Sequence, residues 1–100
     1  MVIGYCSSAG ESSTATNCVA IGKQAITGAS SAIAIGDGAR SGEINAIAIG
    51  PTARGNGSHS ISIGTVANTN SITAIAIGYY ANGLAANVVA IGRTAKALGA

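Results

Sequence analysis

From Gly22 to Gly92, a glycine recurs at intervals of 14 residues without interruption, and this period constrains the fold more than any other feature. The glycines that keep the period are Gly22, Gly36, Gly50, Gly64, Gly78 and Gly92. Each closes a short apolar segment; the clearest copies are residues 17–22, 45–50 and 87–92, and the looser copies are residues 31–36, 59–64 and 73–78. Self-similarity at one fixed period predicts a repeat architecture in which each unit packs on its neighbours.

The apolar side chains are too small for a layered globular core. Hydrophobic residues make up 48% of the chain, yet aromatic residues make up only 3%, with no Phe or Trp. Ala, Ile and Val dominate, and small and β-branched side chains suit thin, stacked strands. Helix is disfavoured because no helical period is present and Gly recurs too often. Charged residues are only 8% of the chain, so we expect other chains to cover part of its surface.

A second short segment follows each of these glycines. It opens on an alanine, and a small residue follows two positions later: Ala25 and Thr27, Ala39 and Ser41, Ala53 and Gly55, Ala67 and Thr69, Ala81 and Gly83, and Ala95 and Ala97. We therefore predict an all-β fold, a β-solenoid of about six 14-residue coils with two strands and two turns each. Residues 1–21 are expected to form an irregular first coil with a polar insertion, and residues 22–100 the regular repeats of the same single domain.

Alternation along the first strand decides which side chains share a face. In one copy, Ile47 and Ile49 point one way and Ala46 and Ala48 point the other. Both faces are apolar, which predicts that both are buried. We interpret the isoleucine side as closing the coil against the Ala25-to-Ala95 column, and the small side as a flat face that a partner chain covers. The residues assigned to this core and partner-binding strand are Ile33, Ile35, Ile47, Ile49, Ile75, Ile77, Val89 and Ile91.

The repeat resembles a known family. The segments Asn-Cys-Val-Ala-Ile-Gly at 17–22, Asn-Ala-Ile-Ala-Ile-Gly at 45–50 and Asn-Val-Val-Ala-Ile-Gly at 87–92 look like the head repeat of trimeric autotransporter adhesins, as in the Yersinia adhesin. The match covers residues 15–97. It implies a left-handed parallel β-roll, a homotrimer formed through the first strand, attachment to a host or environmental surface, a host surface protein or glycan as ligand, and a bacterial cell-surface location.

Other interpretations remain open at this stage. The chain is either a head taken from a longer adhesin or a complete small protein that uses the same roll in a phage tail fibre or virion. A regular solenoid could also bind ice through Thr or Asn ladders, although no column here is solid Thr. Open coil ends could instead stack head to tail into a polymer, because exposed strand edges template pairing.

Little in the chain predicts chemistry. His59, the one histidine, occupies a turn position where a hydrogen-bonding role is expected, and no serine lies in a nucleophile elbow. We predict no enzyme activity, no cofactor and no metal site. The net charge of +2 is too weak for nucleic acid, and no apolar run is long enough to insert into a membrane. Cys18 is expected to be a small buried residue, with a disulfide to Cys6 as the alternative.

The candidate ligand-contact residues are basic and aromatic. Arg40 and Arg54 occupy one column in consecutive coils, followed by Asn68, Asn82 and Lys96, and such a row could meet anionic groups. Tyr79 and Tyr80, like Tyr5, follow a glycine at the first turn, where tyrosine can stack on a sugar or anchor a protein. Lys23 and Asp37 share a column in adjacent coils, which predicts a weak surface ion pair.

Overall fold

The chain folds as a parallel β-solenoid of about six coils, and each coil spans one glycine period. The computed structural model describes Val2–Ile3, Ser8–Ala9 and residues 17–98. The body is flat and elongated, with extents of 36 × 23 × 12 Å. In the described part of the chain every element is a strand, and no helix is long and apolar enough to cross a membrane. The all-β solenoid predicted from the glycine period is confirmed.

Two seven-stranded parallel sheets form the two sides of the solenoid. Sheet A holds the first strand of each coil: β1 Val2–Ile3, β3 Val19–Ile21, β5 Ile33–Ile35, β7 Ile47–Ile49, β9 Ile61–Ile63, β11 Ile75–Ile77 and β13 Val89–Ile91. Sheet B holds the second strand: β2 Ser8–Ala9, β4 Ile26–Thr27, β6 Arg40–Ser41, β8 Arg54–Gly55, β10 Asn68–Thr69, β12 Asn82–Gly83 and β14 Lys96–Ala97. Neighbouring strands belong to consecutive coils, so chain order and spatial order coincide.

The sequence period is also the strand register. Ile33 of β5 pairs with Ile47 of β7, an offset of one full period, and the later coils keep this offset. The first coil differs, because Val2 pairs with Ala20 and Ser8 pairs with Ile26, and both offsets exceed the period by four positions. The four extra residues therefore lie between β2 and β3. Most of the predicted polar insertion lies outside the described residues.

Each coil turns twice through a residue with left-handed backbone. In the turn that runs from Gly50 to Ala53, the Ala53 N–H donates to the Gly50 carbonyl at 3.1 Å and Thr52 has a φ of 55°. This is the type II pattern, in which Pro51 suits the second position and a positive φ is required at the third. The equivalent residues of this turn are Gln24, Gly38, Val66, Tyr80 and Thr94, and those of the other turn are Asn17, Ser31, Asn45, His59, Thr73 and Asn87.

The glycine column exists because the backbones of successive coils touch there. Gly50 has a φ of 126°, a conformation that L side chains rarely adopt. A Cβ added to Gly50 would meet the carbonyl oxygen of Gly64 at 2.7 Å and its carbonyl carbon at 2.8 Å. The glycine period therefore records a line of backbone contacts that no side chain can enter.

Small side chains fill the interior of each coil. Ala34 and Ala39 are fully buried and belong to one cluster with Ala20 and Ala25. The interpretation that isoleucines close the coil is wrong, since every isoleucine of β5, β7, β9 and β11 is only half-buried. Alanines and the small residues of sheet B, such as Thr27 and Ser41, already fill the space between the sheets, so the larger isoleucine side chains lie on the outer side, and the small side is not the face left for a partner chain.

The outer side of sheet A is therefore a continuous apolar surface, here called the Ile face. Its members are Val19, Ile21, Ile33, Ile35, Ile47, Ile49, Ile61, Ile63, Ile75, Ile77, Val89 and Ile91. They include every residue that the sequence pattern assigned to the partner-binding strand. In β13, which is the last strand of sheet A among the described residues, Val89 and Ile91 are 59% and 64% exposed.

Thr27 and Ser41 place single buried hydroxyl groups in two coils, and a later coil carries three that contact one another. Ser60, Ser62 and Thr69 are fully buried. The Thr69 hydroxyl donates to Ser60 Oγ at 2.9 Å and lies 3.0 Å from Ser62 Oγ, and Ser62 Oγ donates to the Arg54 carbonyl at 2.6 Å. We call these three residues the hydroxyl cluster. Its hydroxyl groups are all hydrogen-bonded, and through the Arg54 carbonyl they fix the inner side of the strand that carries Arg54.

Candidate functional site

An open groove lined by both polar and apolar groups runs along the outer side of sheet B, beside the first turn of three consecutive coils. Its volume is about 330 Å³, at the lower end of the range for small-molecule sites. The turn residues Thr52, Val66 and Tyr80 line one side, and the strand residues Arg54, Asn68 and Asn82 line the other. Both rows advance by one coil, about 4.8 Å, at a time. The groove therefore extends about 10 Å along the stack.

The strand side of the groove offers both donors and acceptors of hydrogen bonds. Asn56 Nδ2 donates to Asn68 Oδ1 at 3.4 Å, which leaves the Asn68 amide N–H groups available. Asn82 Nδ2 donates to the Tyr80 carbonyl at 3.1 Å, which leaves Asn82 Oδ1 as an acceptor. Arg54 adds guanidinium N–H donors. These groups together can bind an acid and several hydroxyls at the same time.

The basic end of the groove carries charge that no acid in the described part of the chain neutralises. Arg40 and Arg54 are exposed and pair directly across β6 and β8. Like charges placed opposite each other in a sheet are destabilising. The acids in the described part of the chain are Asp37 and Glu43, and neither forms an ion pair with Arg54. The predicted ion pair between Lys23 and Asp37 is not formed either.

Aromatic side chains form the other end. The Tyr79 and Tyr80 rings are 4.6 Å apart at an interplanar angle of 70°, an edge-to-face pair. The Arg93 guanidinium lies over the Tyr79 ring, 5.6 Å from its centre, within cation–π range. Tyr79 is therefore held by its neighbours, whereas Tyr80, 45% exposed, borders the groove.

The backbone beneath the groove is fixed on both sides of sheet B. The Arg54 N–H donates to the Ala67 carbonyl at 2.8 Å, and the Arg54 carbonyl accepts from Ser62 of the hydroxyl cluster at 2.6 Å. On the next coil the Asn68 N–H donates to the Ala81 carbonyl at 2.9 Å. A site on strands held in this way is better ordered than one on a loop.

The structure brings together half of the predicted ligand-contact residues. Arg54 and Tyr80 line the same groove, while Arg40 lies one coil before it and Tyr79 packs on Tyr80. Tyr5 lies outside the described residues. Asn68 and Asn82, which follow the two arginines in the predicted row, also line the groove, whereas Thr52 and Val66 were not predicted. The pairing of each left-handed turn residue with the residue two positions later could have indicated them, because that spacing repeats in every coil.

The other singled-out side chains have local roles. His59 Nε2 accepts a hydrogen bond from Asn45 Nδ2 at 3.1 Å, one coil away in the same column. Cys18 is buried, as predicted, and its thiol donates to the Ala29 carbonyl at 3.0 Å. Cys6, its predicted alternative partner, lies outside the described residues. Within the described part of the chain, no three His, Cys, Asp or Glu residues are grouped as metal ligands.

A scan of the chain against protein-family models and a search of curated proteins both gave no match. The role of the molecule is therefore inferred from its two outer surfaces, the groove on sheet B and the Ile face on sheet A.

Proposed function

We propose that the chain is a non-enzymatic, homotrimeric attachment module, the head of an adhesin or a segment of a fibre, that binds a cell or environmental surface. The observation that carries this proposal is the Ile face, a continuous apolar surface on a chain whose interior is already filled. The sequence resemblance to trimeric adhesin heads supplies the stoichiometry and the left-handed roll. The module would be displayed on a bacterial cell surface or, with the same architecture, on a virion.

The Ile face is suited to a second and third copy of the same chain. An apolar surface of this extent and regularity marks an interaction site. Its side chains repeat with the coil spacing, so identical ladders from several copies match one another around an axis parallel to the stack. Rotation about such an axis closes the assembly and leaves no apolar ladder in water. Sheet B then faces outward, where its groove stays accessible.

Light scattering on the purified protein tests the assembly. We expect a particle of three times the 9.5 kDa chain mass. The informative variant is Ile49→Asn on the Ile face, which we expect to dissociate because a polar amide would be buried without partners. Ile26→Asn is the matched control, since Ile26 is half-buried on the outer side of sheet B, where Asn68 and Asn82 occur naturally.

A folded monomer for the unchanged protein would contradict the proposal. Equal effects of the two asparagine variants on the measured mass would contradict the assignment of the Ile face as the contact surface.

A further inference from the structure

We propose that the groove on sheet B binds a carboxylate-bearing glycan, such as a chain of uronic acids. Arg54 would bind the acid, Asn68 and Asn82 the ring hydroxyls, and Tyr80 the face of a neighbouring sugar. This inference rests on the proposed function in one respect: the glycan is the surface component to which the module attaches.

The basic end of the groove selects an anion. Arg40 and Arg54 are paired across neighbouring strands with no carboxylate of the described chain between them. An acid bound at Arg54 relieves the repulsion of the two guanidinium groups as well as forming its own ion pair. The planar fork of arginine matches a carboxylate with two parallel hydrogen bonds. The charge pattern therefore favours a ligand with an acidic group at this end.

The middle of the groove selects hydroxyl groups. Asn68 offers amide N–H donors, and Asn82 offers its carbonyl oxygen. Thr52 Oγ1 donates to the Pro51 carbonyl at 2.7 Å, so its oxygen remains able to accept. A sugar ring carries hydroxyls that both donate and accept, whereas an apolar or purely anionic ligand would leave some of these groups unsatisfied.

The aromatic end selects a ring. Tyr80 is half-exposed, and its orientation is held by the edge-to-face contact with Tyr79. An aromatic ring fixed beside polar groups provides apolar contact area at little entropic cost. The length of about 10 Å along three coils suits two linked sugar rings, with the acid at Arg54 and the second ring at Tyr80.

Isothermal titration with a galacturonic acid hexasaccharide tests this inference. We expect saturable binding to the unchanged protein. The fully methyl-esterified hexasaccharide keeps the rings but loses the charge, and we expect it to bind at least about tenfold more weakly, because hydrogen bonds to charged groups are worth more. Sodium acetate at the same carboxylate concentration should not compete, since it lacks the hydroxyls and the rings.

Three variants assign the contacts. Arg54→Gln should weaken binding of the hexasaccharide by about tenfold, while Lys23→Gln removes the same charge away from the groove and should change it by less than about twofold. Tyr80→Asn should weaken binding by about three- to tenfold without harming the fold, because Asn tolerates the left-handed backbone. Circular dichroism confirms that each variant is folded.

Several outcomes would overturn the inference. Equal losses for Arg54→Gln and Lys23→Gln would show non-specific charge attraction, and equal binding of the methyl ester would remove the role of the acid. Effective competition by acetate would reduce the site to a simple anion site. A trimer that does not bind the hexasaccharide refutes this inference alone, whereas a folded monomer that binds it refutes the proposed trimer alone.

Discussion

The backbone at Gly50 lies so close to that of Gly64 that a methyl group does not fit between them. Gly50→Ala should therefore lower the free energy of unfolding by about 3 kcal/mol, from the strained φ together with the overpacking. Gly42→Ala is the matched control, because a Cβ there meets nothing within 4 Å, and its effect should stay within about 0.5 kcal/mol. Urea unfolding followed by circular dichroism measures both, and equal midpoints would contradict the contact.

Val66 illustrates strain that the chain tolerates at a turn. Its φ is 60°, and a β-branched residue in the left-handed region is an outlier. Val66→Asn should raise the free energy of unfolding by about 1 kcal/mol, because Asn adopts this conformation more readily. Thr65→Asn, at the neighbouring turn position without a positive φ, should leave the thermal midpoint unchanged. A lower midpoint for Val66→Asn would show that the packing of Val66 outweighs its strain.

At the level of elements, the hydroxyl cluster links the two sheets in one coil. Thr69→Val removes the hydroxyl that donates to Ser60 Oγ at 2.9 Å, which should leave a buried polar group unsatisfied and lower stability by about 1–3 kcal/mol. The triple variant Ser60→Ala, Ser62→Ala and Thr69→Val removes the cluster as a whole, so it should be destabilised less than Thr69→Val alone. If the effects of the three changes simply add in urea unfolding, the groups do not act as a cluster.

The strands show how far sequence patterns reach. The glycine period and the apolar alternation predicted every coil and the existence of two strands in each. They gave the wrong inner face for the first strand, because Ile47 and Ala48 are both apolar and the alternation alone does not distinguish the two sides. Volume decides it: Ala48 is fully buried and Ile47 is not. The replacement of Ala by Ser62 in the column opposite Thr69 was the available signal, because hydroxyl groups that face each other across the coil can satisfy one another when buried.

The sequence predicted the strand residues of the groove but not how its turn residues are arranged. Column positions placed Arg54 beside Arg40 and were enough to identify the basic row. That Tyr80 lines the same groove as Asn82 and Arg54 depends on its φ of 59°, a turn geometry that residue identity does not reveal for tyrosine. Side chains on regular strands were thus easier to locate than those on the turns.

At the level of the whole molecule, the solenoid should tolerate loss of a complete coil. Deleting residues 37–50 joins Gly36 to Pro51 and restores a glycine before the Pro51 turn, so every remaining register is kept. Because repeat proteins are stabilised mainly by contacts between neighbours, we expect a folded protein with a slightly lower thermal midpoint, shorter by about 4.8 Å. Circular dichroism and small-angle X-ray scattering measure these two properties.

The control deletion removes residues 37–48, which shifts the register by two positions and places Ile49 after Gly36. We expect this variant to unfold or aggregate, because the glycine contacts and the inner alanines no longer align. A stable fold for this variant would mean that the register is less strict than the backbone contacts imply.

The coil-by-coil register has a consequence for how the surface can change. Since the interior is filled by alanine, serine and threonine in fixed columns, the outward columns are independent of the core. Each outward-facing position then has a fixed place on the surface, and it lies about 4.8 Å from the equivalent position of the next coil. Outward residues can therefore be substituted one coil at a time to create a new binding surface without altering the strands that carry them. The row of Arg40, Arg54, Asn68 and Asn82 illustrates such variation.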